Sequence, residues 1–273
     1  VTVDERSPGL ILRKEGGVAR LVISRPARMN VLRPADLRLL WKHMVALEAE
    51  EAVRLVVLEG EGEKAFCAGL DLSGWRGVGL AEMRRRAREA RMVVNRLADL
   101  ALPTVALVKG VAAGLGLELC LACDFVLAEE GARFGFPEVR LGLIPWMGGV
   151  RRLISVVGDR RAAELIFTGG MVEAETAQAW GLVNEVVPRG GLEKALLALA
   201  DRLIAGSKAA QAAAKRAFRA SRGGAQAHDV DYELELLTYC LALGDAPTRI
   251  AGLAERVGGE GVKDPEGRSQ EGD

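Results

Sequence analysis

Histidine, cysteine and aromatic residues are scarce in this chain: its 273 residues contain two His, four Cys and 4% Phe, Trp and Tyr together. The two histidines, His43 and His228, are isolated from each other. They offer no metal-ligand spacing and no ready partner for a serine or cysteine nucleophile, so no metal is expected. Four cysteines are too few to staple a chain of this length. Cys120-x-x-Cys123 lacks the second pair that a zinc site needs, and its thiols read best as small buried hydrophobes. An excess of charge of either sign is also missing, because 37 Lys+Arg balance 37 Asp+Glu. That neutrality removes any global attraction to nucleic acid or an anionic membrane. The most apolar stretch, Gly110 to Ala128, is broken by Glu118, Asp124 and glycines and makes a poor bilayer span. The opening Val1-Thr-Val-Asp-Glu-Arg-Ser-Pro8 has no apolar leader, so a soluble cytoplasmic protein is expected.

What the chain does have is apolar content, 49% by composition, enough for one large α/β core. Strand-like runs recur at Leu10 to Arg13, Ala19 to Ile23, Leu55 to Leu58, Thr104 to Val108, Phe125 to Ala128 and Leu182 to Val187. They alternate with helical patterns, which predicts an α/β fold with substantial parallel pairing. Pro34 sits where a first-turn proline belongs, with Leu37, Leu40, Trp41, Met44 and Leu47 on one helical face. A second helix is predicted over Gly79 to Leu100; its basic cluster Arg84 to Arg91 reads as a solvated face, with no aromatics interleaved for RNA. From Leu192 onward strand signals vanish. The organisation predicted is therefore an α/β core over 1–191, a helical layer over 192–257 that packs on the core or on another subunit, and a disordered Gly- and charge-rich tail over 258–273.

Common catalytic spacings fail: Gly-x-Ser-x-Gly and the phosphate-binding Gly-x-x-x-x-Gly-Lys-Ser/Thr are both absent. Gly114-Leu-Gly116-Leu-Glu-Leu119 lacks the third glycine of a dinucleotide fingerprint. Two loops nevertheless follow apolar strands and can expose backbone N–H groups to a developing oxyanion: Leu55 to Leu72 and Thr104 to Cys120. Glu118 falls in an otherwise apolar segment, so it must be paired, hydrogen-bonded or functional. Glu138 lies at another loop-to-helix junction, after Phe134-Gly-Phe-Pro and before Gly148-Gly149. A general acid/base pair and a structural ion pair are both open on spacing alone.

In these motifs the chain resembles the crotonase superfamily, the enoyl-CoA hydratase/isomerase family. The matching segments run in order through Ser24-Arg-Pro-Ala-Arg-Met-Asn30, Ala65-Phe-Cys-Ala-Gly-Leu-Asp71, Leu102 to Asp124, Phe134 to Gly149 and Leu165 to Pro188. The resemblance implies a spiral of ββα units with C-terminal helices that assemble a homotrimer or hexamer. It implies an acyl-CoA thioester substrate, with coenzyme A carried as part of that substrate and no separate cofactor. The thioester oxygen would sit between the N–H groups of Ala68 and Leu115. Gly69, Leu70 and Asp71 would lie along the CoA, Arg28 and the backbone near Val31 at its nucleotide end, and Arg256 near its phosphates. Glu118 would activate water for addition at C3 of a 2-enoyl-CoA and Glu138 would protonate C2. The alternatives are isomerisation or decarboxylation of an acyl-CoA, or a non-catalytic CoA- or RNA-binding scaffold. Two positions depart from the family pattern. Leu115 replaces a glycine, at about 1–2 kcal/mol of strain if φ is positive there, and Trp146 replaces another, where an indole would narrow the choice of acyl chain.

Overall fold

The computed structural model describes residues 3–222, 238, 241–242 and 250–252. In chain order the strands are β1 (Val3–Ser7), β2 (Gly9–Glu15), β3 (Val18–Ser24), β4 (Leu55–Gly60), β5 (Ala65–Cys67), β6 (Thr104–Val108), β7 (Val111–Ala113), β8 (Phe125–Glu129), β9 (Arg133–Gly135), β10 (Met171–Glu173) and β11 (Glu185–Val187). The helices are α1 (Pro34–Ala49), α2 (Leu80–Asp99), α3 (Leu115–Ala122), α4 (Gly149–Val157), α5 (Asp159–Thr168), α6 (Ala174–Ala179), α7 (Leu192–Ile204) and α8 (Lys208–Arg222).

Among the described residues these strands form two sheets, one in the order β1-β2-β3-β4-β6-β8-β11 and one in the order β10-β9-β7-β5. After an antiparallel start through β1, β2 and β3, the large sheet is parallel from β3 to β11. Each of β4, β6 and β8 hands the chain to a short strand of the second sheet, β5, β7 and β9, before the next helical segment. This repeated step is the predicted ββα spiral. It gathers the ends of β5 and β7, parallel neighbours paired at Cys67↔Ala112, at one place.

The central strands β4, β6 and β8 are mainly apolar because both faces are covered. In β4, Val56 and Leu58 join the main core, while Leu55 and Val57 face a second cluster with Leu196 and Leu199 of α7. In β6, Ala106 and Val108 divide from Val105 and Leu107 in the same way. The first two C-terminal helices are thus tied to this protomer's own sheet: α7 through that cluster, and α8 through Lys215, which donates to Asp124 Oδ2 at 2.5 Å and to Leu102 O at 2.8 Å. Of the apolar residues in the helical region after residue 192, Leu234, Leu236, Leu237 and Tyr239 lie outside the described residues, while Leu241 is buried.

Helix α1 starts as its sequence predicts. Pro34 opens the first turn, Asp36 accepts from the Arg33 N–H at 2.8 Å, and Leu37, Leu40, Met44 and Leu47 are buried. On α2 two of the clustered arginines pair with carboxylates of the same helix, Arg85 with Glu82 and Glu89 and Arg86 with Glu82. No helix among the described residues is long and apolar enough to cross a membrane.

Candidate active site

Two buried glutamates meet the N-terminal end of α3. Glu118, one turn into that helix, is 1% exposed. Its Oε1 accepts from the backbone N–H of Met147 at 2.7 Å and of Gly149 at 3.0 Å. Two donors aimed at one oxygen fix the carboxylate's orientation. The turn that supplies them needs glycine, since a Cβ on Gly149 would stand 2.7 Å from Glu118 Oε1 and 2.9 Å from the Phe136 ring. Arg152, one turn into α4, holds the same turn by donating to Met147 O at 2.7 Å and reaches Asn95 Oδ1 of α2 at 2.8 Å.

Glu138 comes from the short 3-10 turn Pro137–Leu141, which ends on left-handed Gly142. It is buried, and its Oε2 has no hydrogen-bond partner among the described residues. Burial disfavours the charged form and pushes this carboxyl up to about 7. It lies close against Gly114, where a Cβ would be 2.8 Å from Glu138 Oε1. One glutamate is therefore clamped by N–H donors and the other is poised to hold or release a proton near neutral pH.

The feared strain at Leu115 does not arise. Gly114, at φ +53° and ψ −122°, takes the positive-φ conformation that opens α3, and Leu115 is not among the residues of positive φ. As the first residue of α3, Leu115 has no carbonyl one turn earlier within the helix to occupy its N–H, the usual condition of a helix start.

The expected companion, Ala68, is corrected by the structure: its N–H donates to Met29 O at 3.0 Å and is already used. The N–H left facing the other way is that of Leu70. Leu32 forms an isolated parallel bridge with Leu70 through Leu32 N–H to Gly69 O, 3.0 Å, and Asp71 N–H to Leu32 O, 2.8 Å. In that ladder Leu70's own N–H points to the opposite edge. Leu70 and Leu115 each stand three residues beyond the paired Cys67 and Ala112 of adjacent parallel strands, so both N–H groups emerge at the same end of the small sheet. Gly69, at φ +129°, makes the bend.

The other residues expected along the CoA have mixed roles. Asp71 spends its carboxylate locally, accepting from Ser73 N–H at 3.0 Å and Ser73 Oγ at 2.6 Å. Partial burial alone would raise this carboxyl, but the Ser73 hydrogen bonds and the charges of Arg25 and Arg28 bring it below its ordinary value. Arg28 is exposed at the end of the turn Pro26–Arg28. The Val31 N–H is committed to Arg28 O at 3.1 Å and its carbonyl accepts from Arg25 at 2.6 Å. Arg256 lies outside the described residues. Trp146 is 4% exposed and packs on Trp75, ring centroids 6.1 Å apart and planes tilted by 54°.

Cys67 and Cys120 are buried and Cys123 is half-buried; desolvation pushes the Cys67 and Cys123 thiols up to about 12 and Cys120 well upward, which leaves them unsuited as nucleophiles. The described residues contain no group of His, Cys, Asp and Glu arranged to hold a metal ion. Sequence reasoning missed Trp75, Arg152 and Asn95. The glycine pair Gly148-Gly149 beside Arg152 was the only signal for that clamp.

A two-carboxylate site at a helix N-terminus, on a ββα spiral, defines a CoA-thioester enzyme of the crotonase class. The chain belongs to the enoyl-CoA hydratase/isomerase family, whose profile it matches over residues 13–255. It is 34% identical over 258 residues to a short-chain-enoyl-CoA hydratase of Clostridium acetobutylicum, covering 93% of this chain and 97% of that one. It is 33% identical to a crotonyl-CoA hydratase of Syntrophomonas wolfei, covering 90% and 95%. Among solved structures, an enoyl-CoA hydratase/isomerase from Xanthobacter autotrophicus Py2 superposes with a TM-score of 0.84 at 31% identity, covering 93% and 94%.

Proposed function

We propose that this chain hydrates 2-enoyl-CoA thioesters reversibly to 3-hydroxyacyl-CoA. The observation that carries the reading is the pair of buried glutamates at the start of α3, one held by two N–H donors and the other raised to about 7. The N–H groups of Leu115 and Leu70 would donate to the thioester carbonyl, drawing electron density from the double bond and stabilising the enolate-like charge that builds as C3 is attacked. Glu118 accepts a proton from the water whose oxygen bonds to C3. Glu138 gives its proton to C2, so that one water is added across the double bond; exchange of the protons left on Glu118 and taken from Glu138 restores the starting state. CoA enters and leaves as part of the substrate, and no separate cofactor takes part in these steps. The names of relatives at about one-third identity across most of the chain support the same activity.

In the same reading the helices after residue 192 contribute to a homotrimer or hexamer that acts in the cytoplasm, without a nucleic acid or membrane partner. The test is to mix the chain with crotonyl-CoA and follow the conjugated enoyl-thioester absorbance. Its loss, with 3-hydroxybutyryl-CoA identified as product, is expected. Persistence of the absorbance, or formation of an isomer without uptake of water, would overturn the assignment.

A further inference from the structure

We propose that Trp75 and Trp146 together close the acyl end of this site, which makes the enzyme selective for short 2-enoyl-CoAs, and that Trp75 is the partition between the site and an apolar cleft lying between α1 and α2. The proposal rests on the hydratase reading above and adds to it the substrate class and the residue that sets it.

The two indoles come from the segments that carry the Leu70 N–H and the Met147 N–H that holds Glu118. Trp75 follows Leu70 on the loop leaving β5, and Trp146 directly precedes Met147, whose N–H holds Glu118. Their rings meet at 6.1 Å, so the oxyanion loop and the glutamate-holding turn touch through this pair. They are 2% and 4% exposed. Neither indole N–H has an acceptor among the described residues. Burying two donors without acceptors is unfavourable, so hydrogen bonding does not account for these rings at this position. What they supply is volume. An acyl chain leaving a thioester held at Leu70 and Leu115 would meet that volume within a few carbons.

Trp75 also lines a cleft with Leu70, between Pro34 and Leu37 of α1 and Ala90 and Val93 of α2, with Arg38, Arg86 and Glu89 completing the lining. The surface the cleft exposes is mainly apolar, as a longer acyl chain needs, and one of its walls is an indole. A smaller side chain at position 75 would join cleft and site, giving the acyl chain further room without moving Glu118 or Glu138.

The experiment compares kcat/KM of the full chain for crotonyl-, hexenoyl-, octenoyl- and decenoyl-CoA with that of Trp75→Leu and Trp75→Ala. The wild type is expected to favour crotonyl-CoA over octenoyl-CoA by tenfold or more, since each unaccommodated methylene is worth about 10-fold or more in a shaped pocket. Both variants are expected to raise the octenoyl-to-crotonyl ratio by about 10-fold or more. Trp75→Leu keeps apolar bulk in the core, so the comparison stands even if Trp75→Ala does not fold. A wild type that hydrates octenoyl- and crotonyl-CoA equally well, or an unchanged ratio in folded Trp75→Leu, would overturn the proposal and leave the hydratase reading intact. Failure of the wild type on every chain length would instead overturn the hydratase reading, and this proposal with it.

Discussion

Replacing Glu138 by glutamine should damage catalysis and stabilise the fold, and the size of the stabilisation should depend on pH. The carboxyl is buried and pushed from its ordinary 4.5 to about 7 by desolvation, with Oε2 unpartnered among the described residues. A carboxyl raised in the folded state binds its proton more tightly there than in the unfolded chain. Below the ordinary value both states are protonated and nothing is lost. As pH rises through the interval between 4.5 and about 7 the unfolded chain ionises first, and stability falls until the folded carboxyl ionises too. Above that interval the full penalty is present, on the order of 3 kcal/mol at about 1.4 kcal/mol for each pH unit of displacement. Glutamine has nearly the same shape and no charge, so the variant escapes the penalty.

The assay is urea unfolding of wild type and Glu138→Gln at pH 5 and pH 8.5, at one fixed protein concentration because any subunit association would contribute to stability. The variant's advantage is expected to be small at the lower pH and larger by about 2–3 kcal/mol at the higher. In the same variant, turnover of crotonyl-CoA should fall by about 10²–10⁴-fold while binding of a CoA ester persists. Wild-type kcat/KM should decline as pH rises through about 7, because the acid form donates the proton to C2. A stability difference that is the same at both pH values, or a variant less stable at pH 8.5, would refute the argument that desolvation sets this carboxyl. Wild-type turnover in the variant would refute its role as the acid.

Glu118→Gln should likewise lower kcat by about 10²–10⁴-fold with little change in CoA-ester affinity, measured by steady-state kinetics and calorimetry; undiminished kcat would remove it from the reaction. Gly149→Ala puts a Cβ within 2.7 Å of Glu118 Oε1 and 2.9 Å of Phe136. It should cost about 1–3 kcal/mol of stability in thermal unfolding and depress kcat more than it raises KM; a neutral effect on both would contradict the packing described. Light scattering of the full chain at micromolar concentration should give a trimer or hexamer, and a monomer would dispose of the assembly proposed for the helices after residue 192.

The parts of the fold written in long periodic runs were legible from the sequence. β4, β6 and β8 carry side chains packed on both faces and read as apolar runs, and α1 and α2 repeat their buried residues at helical spacing. The strands of the small sheet were not legible. β5, β7 and β9 are three residues each, and their place in the sheet comes from pairing with one another across distant parts of the chain. Those short strands set the candidate site. Glu118 stood out because a lone carboxylate in an apolar helix must be satisfied somewhere, but its partners, Met147 and Gly149 N–H, lie across the fold. The error at Ala68 has the same origin. Counting along Ala65-Phe-Cys-Ala-Gly-Leu-Asp71 tells which loop turns toward the ligand, and only the bridge between Leu32 and Leu70, with Met29 O capturing the Ala68 N–H, decides which N–H in that loop remains to be used. Backbone polarity at a tight turn alternates from residue to residue, so a site built from N–H groups depends on register more than on residue type. The Trp75–Trp146 contact extends the point to side chains. Trp146 drew notice because it replaced an expected glycine, whereas Trp75 became visible only when the spiral brought together two loops separated in sequence by all of α2, α3 and strands β6 to β9.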